Sequence, residues 1–180
     1  RSMCSTCTEG HACDGTSLDD DSSDEHHCVA GEYSPGGLTT CLKCGQNDNG
    51  DWITDVATRS KQYSTSEQAA SCQTCQEGSY TSGGTGDNDR TACTACPAGY
   101  SCDGSSTKTP CPAGTYMTGP SVVADFLNEG GVHTCKNCAN DKQYSPGTDD
   151  NWASNACKTC GAQSYTGGGS DDDTHSTCTT

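Results

Sequence analysis

Apolar bulk is what this sequence lacks. Its 180 residues include one phenylalanine and two tryptophans, and hydrophobic types reach 29% only when the cysteines are counted. So few apolar side chains exclude an oily core as the main source of stability. No run approaches the ~20 apolar residues of a membrane-crossing helix, so no membrane span is expected in this segment. Positive charge is scarce too: nine Lys and Arg stand against 24 Asp and Glu, for a net charge of −15. Nucleic acids and anionic membranes attract basic patches, and neither is expected as a partner. There is no Asn-x-Ser/Thr sequon, Asn155-Ala-Cys157 being only a weak variant. Serine and threonine together number 46, so any sugars are expected to be O-linked.

What is present is cysteine, 17 residues, with 22 glycines. Such a fraction points to covalent staples, and these persist outside the reducing cytosol. A secreted or cell-surface, extracellular location follows as the expectation. Residue 1 is Arg rather than Met, which reads as a mature segment cut from a larger precursor.

The cysteines repeat in phase. One set is Cys4, Cys7, Cys13, Cys28, Cys41, Cys44, Cys72 and Cys75; the other is Cys93, Cys96, Cys102, Cys111, Cys135, Cys138, Cys157 and Cys160. Flanking residues agree, as in Lys61-Gln-Tyr-Ser64 against Lys142-Gln-Tyr-Ser145. The domain reading is a first eight-cysteine unit over 1–92, a second over 93–177, and the start of a third at 178–180. Cys178 corresponds to Cys4 and Cys93; it is either a chance odd cysteine or, as the phase favours, the sign that the chain is expected to be a window on a longer array.

Each module starts at a cysteine and closes at the next Cys-x-x-Cys. The simplest disulfide pairing is sequential: Cys7–Cys13, Cys28–Cys41, Cys44–Cys72, Cys75–Cys93, Cys96–Cys102, Cys111–Cys135, Cys138–Cys157 and Cys160–Cys178. Cys4 is left unpaired or linked to a preceding unit. A crossed variant, Cys96–Cys111 with Cys102–Cys135, stays open because spacing alone does not fix connectivity.

Gly10, Gly31, Gly78, Gly99 and Gly114 each follow a cysteine by three residues and read as turn positions with unusual backbone angles. All seven tyrosines lie near module starts. They are either a ligand-binding row or, as favoured here, rings covering the disulfides with hydroxyls in water. Trp52 and Trp152 are candidates for interface contacts or for burial against a local disulfide. Short hairpins follow from this alphabet and long helices do not, although Val122 to Asn128 fits a turn or two of helix.

No catalytic site is expected. The five histidines sit in polar loops or beside cysteines, and no serine has a nucleophile-elbow context. Thiol exchange by Cys-x-x-Cys needs a thioredoxin-like βαβ setting, which is absent. The chain is therefore read as no enzyme. No metal or cofactor is expected either, since Cys-x-x-Cys here belongs to disulfides rather than zinc. Calcium is the one ion in view, through Asp48-Asn49-Gly50-Asp51 and Asp87-Asn88-Asp89, but neither has the full spacing of a calcium loop. His26-His27 beside Asp24-Glu25 reads as a solvated loop before a transition-metal site.

The stretch CPAGYSCDG…PCPAGTY, Cys96 to Tyr116, resembles the ephrin-receptor-type cysteine-rich repeat of the wider tumour-necrosis-factor-receptor-like class. In texture the chain is also similar to protist surface proteins, such as ciliate immobilisation antigens and algal counterparts. The resemblance covers nearly the whole chain as spacing. It implies an elongated tandem array of short irregular β-hairpin modules, small and disulfide-rich, with little helix and no large hydrophobic core. It carries over no catalytic residue. Cys44 and Cys138 lack the third-position glycine and Gly161 follows Cys160 directly, so those modules are expected to turn differently. The functional expectation is an extracellular structural protein whose partners are copies of itself: the repeat segment of a fibre, ciliary hair or cell-surface coat assembling head to tail. The alternative is a receptor-like ligand-binding module of a surface protein.

Overall fold

The computed structural model describes residues 7–13, 25–119, 134–138, 143–148, 156–163, 165–168 and 175–180. Cys4, Trp152, Asn155 and the Val122 to Asn128 segment lie outside the described residues.

The fold follows from what each Cys-x-x-Cys does. Its first cysteine closes one module, its second opens the next, and the two residues between them form or end a return strand. Among the described residues, eight antiparallel two-stranded hairpins result. In chain order they are β1 (His11–Cys13) with β2 (Glu25–His27), β3 (Glu32–Tyr33) with β4 (Leu42–Lys43), and β5 (Gln62–Tyr63) with β6 (Gln73–Thr74). Then come β7 (Ser79–Ser82) with β8 (Ala92–Ala95), and β9 (Tyr100–Cys102) with β10 (Lys108–Pro110). Last are β11 (Thr115–Tyr116) with β12 (Lys136–Asn137), β13 (Gln143–Tyr144) with β14 (Lys158–Thr159), and β15 (Tyr165–Gly167) with β16 (Thr177–Thr179). An isolated two-stranded hairpin is at best marginally stable in water. Disulfides join Cys7–Cys13, Cys28–Cys41, Cys44–Cys72, Cys75–Cys93, Cys96–Cys102, Cys111–Cys135, Cys138–Cys157 and Cys160–Cys178. That is the sequential arrangement; Cys96–Cys111 and Cys102–Cys135 do not form. Six of the disulfides close a hairpin across its two strands, whereas Cys7–Cys13 and Cys96–Cys102 tie β1 and β9 to the chain before them and leave β2 and β10 outside the loop.

Helix is confined, among the described residues, to α1 (Val56–Arg59). The Asp55 side chain caps it by accepting from the amides of Ala57 and Thr58. This turn lies in the Cys44 module, which lacks the third-position glycine. Instead, α1 delivers the chain into β5, with the Lys61 amide donating to the Thr58 carbonyl at 3.2 Å.

The chain divides into two compact units: Arg1–Gln76, Tyr80–Thr94 and Gly104–Ser106 form one, and Glu77–Ser79, Ala95–Asp103 and Thr107–Thr180 the other. Among the described residues the interior of neither is oily. The buried apolar residues among those described are Ala12, Tyr33, Leu42 and cysteines: Cys28, Cys44, Cys75, Cys96, Cys102, Cys111, Cys138 and Cys160. Burial is asymmetric across each staple. From Cys28 on, every module-opening cysteine is buried, whereas the closing partners Cys41, Cys72, Cys93, Cys135, Cys157 and Cys178 are half-buried. Cys102 is the exception, closing its module from a buried position on β9.

The staples differ in the length of chain they close, 28 residues for Cys44–Cys72 against six for Cys7–Cys13. By the loop-closure argument, replacing both cysteines by serine should cost about 3.5 kcal/mol at the first and about 2 kcal/mol at the second. Denaturant titration of the two double variants checks the order, and equal losses would place the stabilisation elsewhere.

Candidate functional site: the module junctions

The junctions between modules are built from backbone groups, and the turn glycines come first. Gly10, Gly31, Gly78, Gly99 and Gly114 all lie between φ +79° and +87°, where side-chain-bearing residues are strained. This conformation commits both backbone groups of the glycine. Its carbonyl accepts the amide of the next opening cysteine: Cys28 to Gly10 at 2.9 Å, Cys44 to Gly31 at 3.1 Å, Cys96 to Gly78, Cys111 to Gly99 and Cys138 to Gly114. That bond adds a rung at the root of the hairpin. Its own N–H donates to the next module, to the carbonyl at or just beyond the end of the outgoing strand. Gly10 thus bonds Ser34 at 2.8 Å and Gly31 bonds Ser64 at 2.9 Å in the first unit. Gly78 bonds Cys102, Gly99 bonds Met117 and Gly114 bonds Ser145 in the second.

Sequence reasoning missed the residue that receives most of these bonds. Directly after the tyrosines come Ser34, Ser64, Thr81 and Ser145, each at most 3% exposed. Each passes a bond onward through its own amide: Ser34 to Ala69, Ser64 to Arg90 and Thr81 to Ser105, with Ser145 to His175 in the second unit. Small residues fit here because no room exists for more, and their buried backbone groups are satisfied by neighbouring modules. The signal was visible: the residue after tyrosine is Ser or Thr at six of the seven tyrosines. At the Cys44 module, which has no such glycine, the bond reverses, and the Thr81 hydroxyl donates to the Ser60 carbonyl at 2.7 Å.

A second glycine position was also missed. Tyr33-Ser-Pro-Gly36 and Tyr144-Ser-Pro-Gly147 form matching turns, with Gly36 at φ +91° and Gly147 at +89°. In both, the serine hydroxyl accepts the glycine amide at 3.2 Å. The next amide then reaches back to the previous module's opening cysteine, Gly37 to the Cys7 carbonyl at 3.0 Å and Thr148 to the Cys111 carbonyl at 2.8 Å. In the last module Gln163 takes the third position after Cys160, at φ +69°.

Tyr33 departs from expectation. Its hydroxyl does not end in water but donates toward the Gln46 carbonyl at 3.0 Å and the Asp48 carboxylate at 3.1 Å. Burial, and then the bond and charge of Asp48, push its pKa up to about 12. A modest cavity of about 270 Å³ lies beside it, lined in part by Gln46, Asp48, Ile53 and Gln62.

The oxygen-rich segments are occupied with their own turns. Asn47 Oδ1 accepts the amides of Asn49 and Asp51 at 3.0 Å. The Asp87 carboxylate pairs with Arg90 and accepts from Ser106, and Asp89 accepts from Thr85 and Gly86. These bonds, from Arg90 and Thr85 first, hold both carboxyls below the usual range. Cys7, Cys13 and Glu25 cluster as potential metal ligands, but the two sulfurs are joined to each other and are not thiolates. Trp52 is 45% exposed, and Val29 and Val56 are exposed as well. Among the described residues no helix is long and apolar enough to cross a membrane.

The arrangement defines a class: tandem disulfide-stapled β-hairpins joined by backbone bonds, in the oxidised state that extracellular compartments maintain. No protein-family model matches the chain, and no curated protein matches it significantly.

Two predictions follow from the junctions. A Cβ on Gly10 would stand 2.2 Å from the Gln68 carbonyl oxygen, whereas one on Gly37 meets nothing within 4 Å although both have positive φ. Gly37→Ala should therefore cost about 1–2 kcal/mol and Gly10→Ala about 3 kcal/mol or more; chemical denaturation measures both. For Tyr33, a folded pKa raised from 10.0 to about 12 means its contribution is whole below pH 10. It is lost as pH climbs through about 12. Tyrosinate absorbance of Tyr33→Phe should lack the component that titrates near pH 12.

Proposed function

We propose that this chain is the repeat segment of an extracellular structural protein, a fibre, ciliary hair or surface coat that assembles head to tail with copies of itself. The observation that supports the reading is that one set of backbone groups is reused at successive junctions within each unit: the turn-glycine amide, the carbonyl it meets in the next module and, where that carbonyl belongs to a buried Ser, the amide passed onward. A junction made this way needs no shared core and no module-specific side chain, so modules add without limit and stability accumulates from neighbour contacts. The staples close within modules, which keeps each one folded while it serves as a link. The resemblance to ephrin-receptor-type repeats and to the repeat arrays of ciliate and algal surface proteins fits the same reading. High acidity and abundant Ser and Thr suit a hydrated, O-glycosylated exterior.

Electron microscopy of the native, non-reduced material tests it. Fibres with a regular axial repeat are expected. Discrete particles that stay monomeric at high concentration would sink the proposal and favour the receptor-like module.

A further inference from the structure

The first hairpin places side chains together that the sequence keeps apart. In the β1–β2 register His11 lies directly opposite His27, and Cys13 opposite Glu25. Alternation along β2 puts Glu25 and His27 on one face and His26, opposite Ala12, on the other. The adjacent pair His26-His27 is thus split, and the pair that meets is His11 with His27. Their ring centroids are 5.7 Å apart, edge to face. Two imidazoles bound to one tetrahedral ion through nitrogens at about 2.1 Å have centroids roughly 5–6 Å apart.

The tautomer of His11 is fixed by its neighbours. Nδ1 lies 3.1 Å from the Glu9 carbonyl oxygen, which can only accept. It also lies 3.1 Å from the Thr8 hydroxyl oxygen. That hydroxyl spends its proton on Glu25 Oε1 at 2.5 Å, so its oxygen is an acceptor for Nδ1–H. In the neutral ring, Nδ1 therefore carries the hydrogen and Nε2 the lone pair. The Thr8 amide bonds the same Glu25 oxygen at 3.1 Å, which holds the carboxylate 3.9 Å from His11 Nδ1. A ligating histidine whose other nitrogen donates to a carbonyl, with a carboxylate behind it, is the usual outer-shell arrangement around a bound transition metal. His11 and Glu25 are half-buried and His27 exposed, so an ion can enter.

We propose that His11 and His27 form a cross-strand site for a divalent transition ion of the zinc class, His11 ligating through Nε2, with Glu25 supplying the carboxylate that supports it. Borderline nitrogen ligands favour zinc, copper or nickel over calcium. The ion clasps β1 to β2 at the rung nearest the hairpin root, opposite the end where residues 14–24 leave and return.

The test is calorimetric titration of the disulfide-intact chain with zinc chloride at pH 7.5, with Cys4 alkylated so that a free thiol cannot contribute. One site is expected, weakened at least tenfold in His11→Ala and in His27→Ala, unchanged in His26→Ala, and undiminished by excess calcium. No binding, or binding that survives both substitutions, overturns the proposal, as does equal loss in His26→Ala. Nitrogen-15 spectra of the unsubstituted chain give a second readout that needs no variant to fold. Zinc should move the His11 Nε2 resonance and leave His26 in place; a shift confined to other histidines overturns the assignment.

Discussion

A glycine amide and carbonyl used in opposite directions is the interaction on which this structure depends. At Gly31 the carbonyl holds the root of its own hairpin by accepting from Cys44, while the N–H crosses to Ser64 of the next. Both bonds require the peptide planes on either side of the α-carbon to face apart, and φ near +87° supplies this. Where the glycine is absent the substitutes differ. The Cys44 module inserts a capped helical turn before Lys61, whose carbonyl still accepts the Cys75 amide at 2.8 Å. The Cys160 module accepts a strained Gln163. The hairpin root is thus the more insistent requirement, and the onward bond is the one allowed to change donor.

Such junctions explain how so polar a chain is ordered. Burial goes to disulfide sulfur and to small hydroxyl residues whose backbone groups are paired across modules. Sulfur behaves as a compact apolar atom, and Ser or Thr hydroxyls find local carbonyls, as Ser64 does with Ser66 at 3.2 Å. The surface is then free of any duty to pack, so loops of very different length are tolerated between a closing cysteine and its partner.

Much of this was legible in the sequence, and the parts that were not have a physical reason. Hairpin modules, scarce helix and the turn glycines follow from local chemistry, because cysteine spacing and positive φ leave marks at fixed offsets. The junction residues were hidden because Ser34 and Ser145 bond the neighbouring modules through backbone atoms that every residue shares. Their hydroxyls act within the local turn, on Gly36 and Gly147, and a serine after a tyrosine reads as ordinary polarity. Tyr33 misled for a different reason: its partner Asp48 lies across an irregular loop whose fold no spacing rule gives. The opposition of His11 and His27 needed the strand register, which an eleven-residue intervening segment conceals from sequence.

The location of the staples has a mechanical corollary. Each bridge short-circuits the chain between its two cysteines, so tension applied along the covalent chain passes through sulfur and, in six of the eight modules, bypasses the hairpin loop. Between Cys7 and Cys178 the segments left outside closed loops are five three-residue steps, from each closing cysteine to the next opening one, and the longer Cys13–Cys28 and Cys102–Cys111 spans. Only roughly a quarter of that contour can be paid out before covalent bonds carry the load, at about 3.5 Å per residue. A pulled chain of this design yields a short distance and then becomes inextensible, and most of its hairpins keep their loops even after every hydrogen bond between modules has parted.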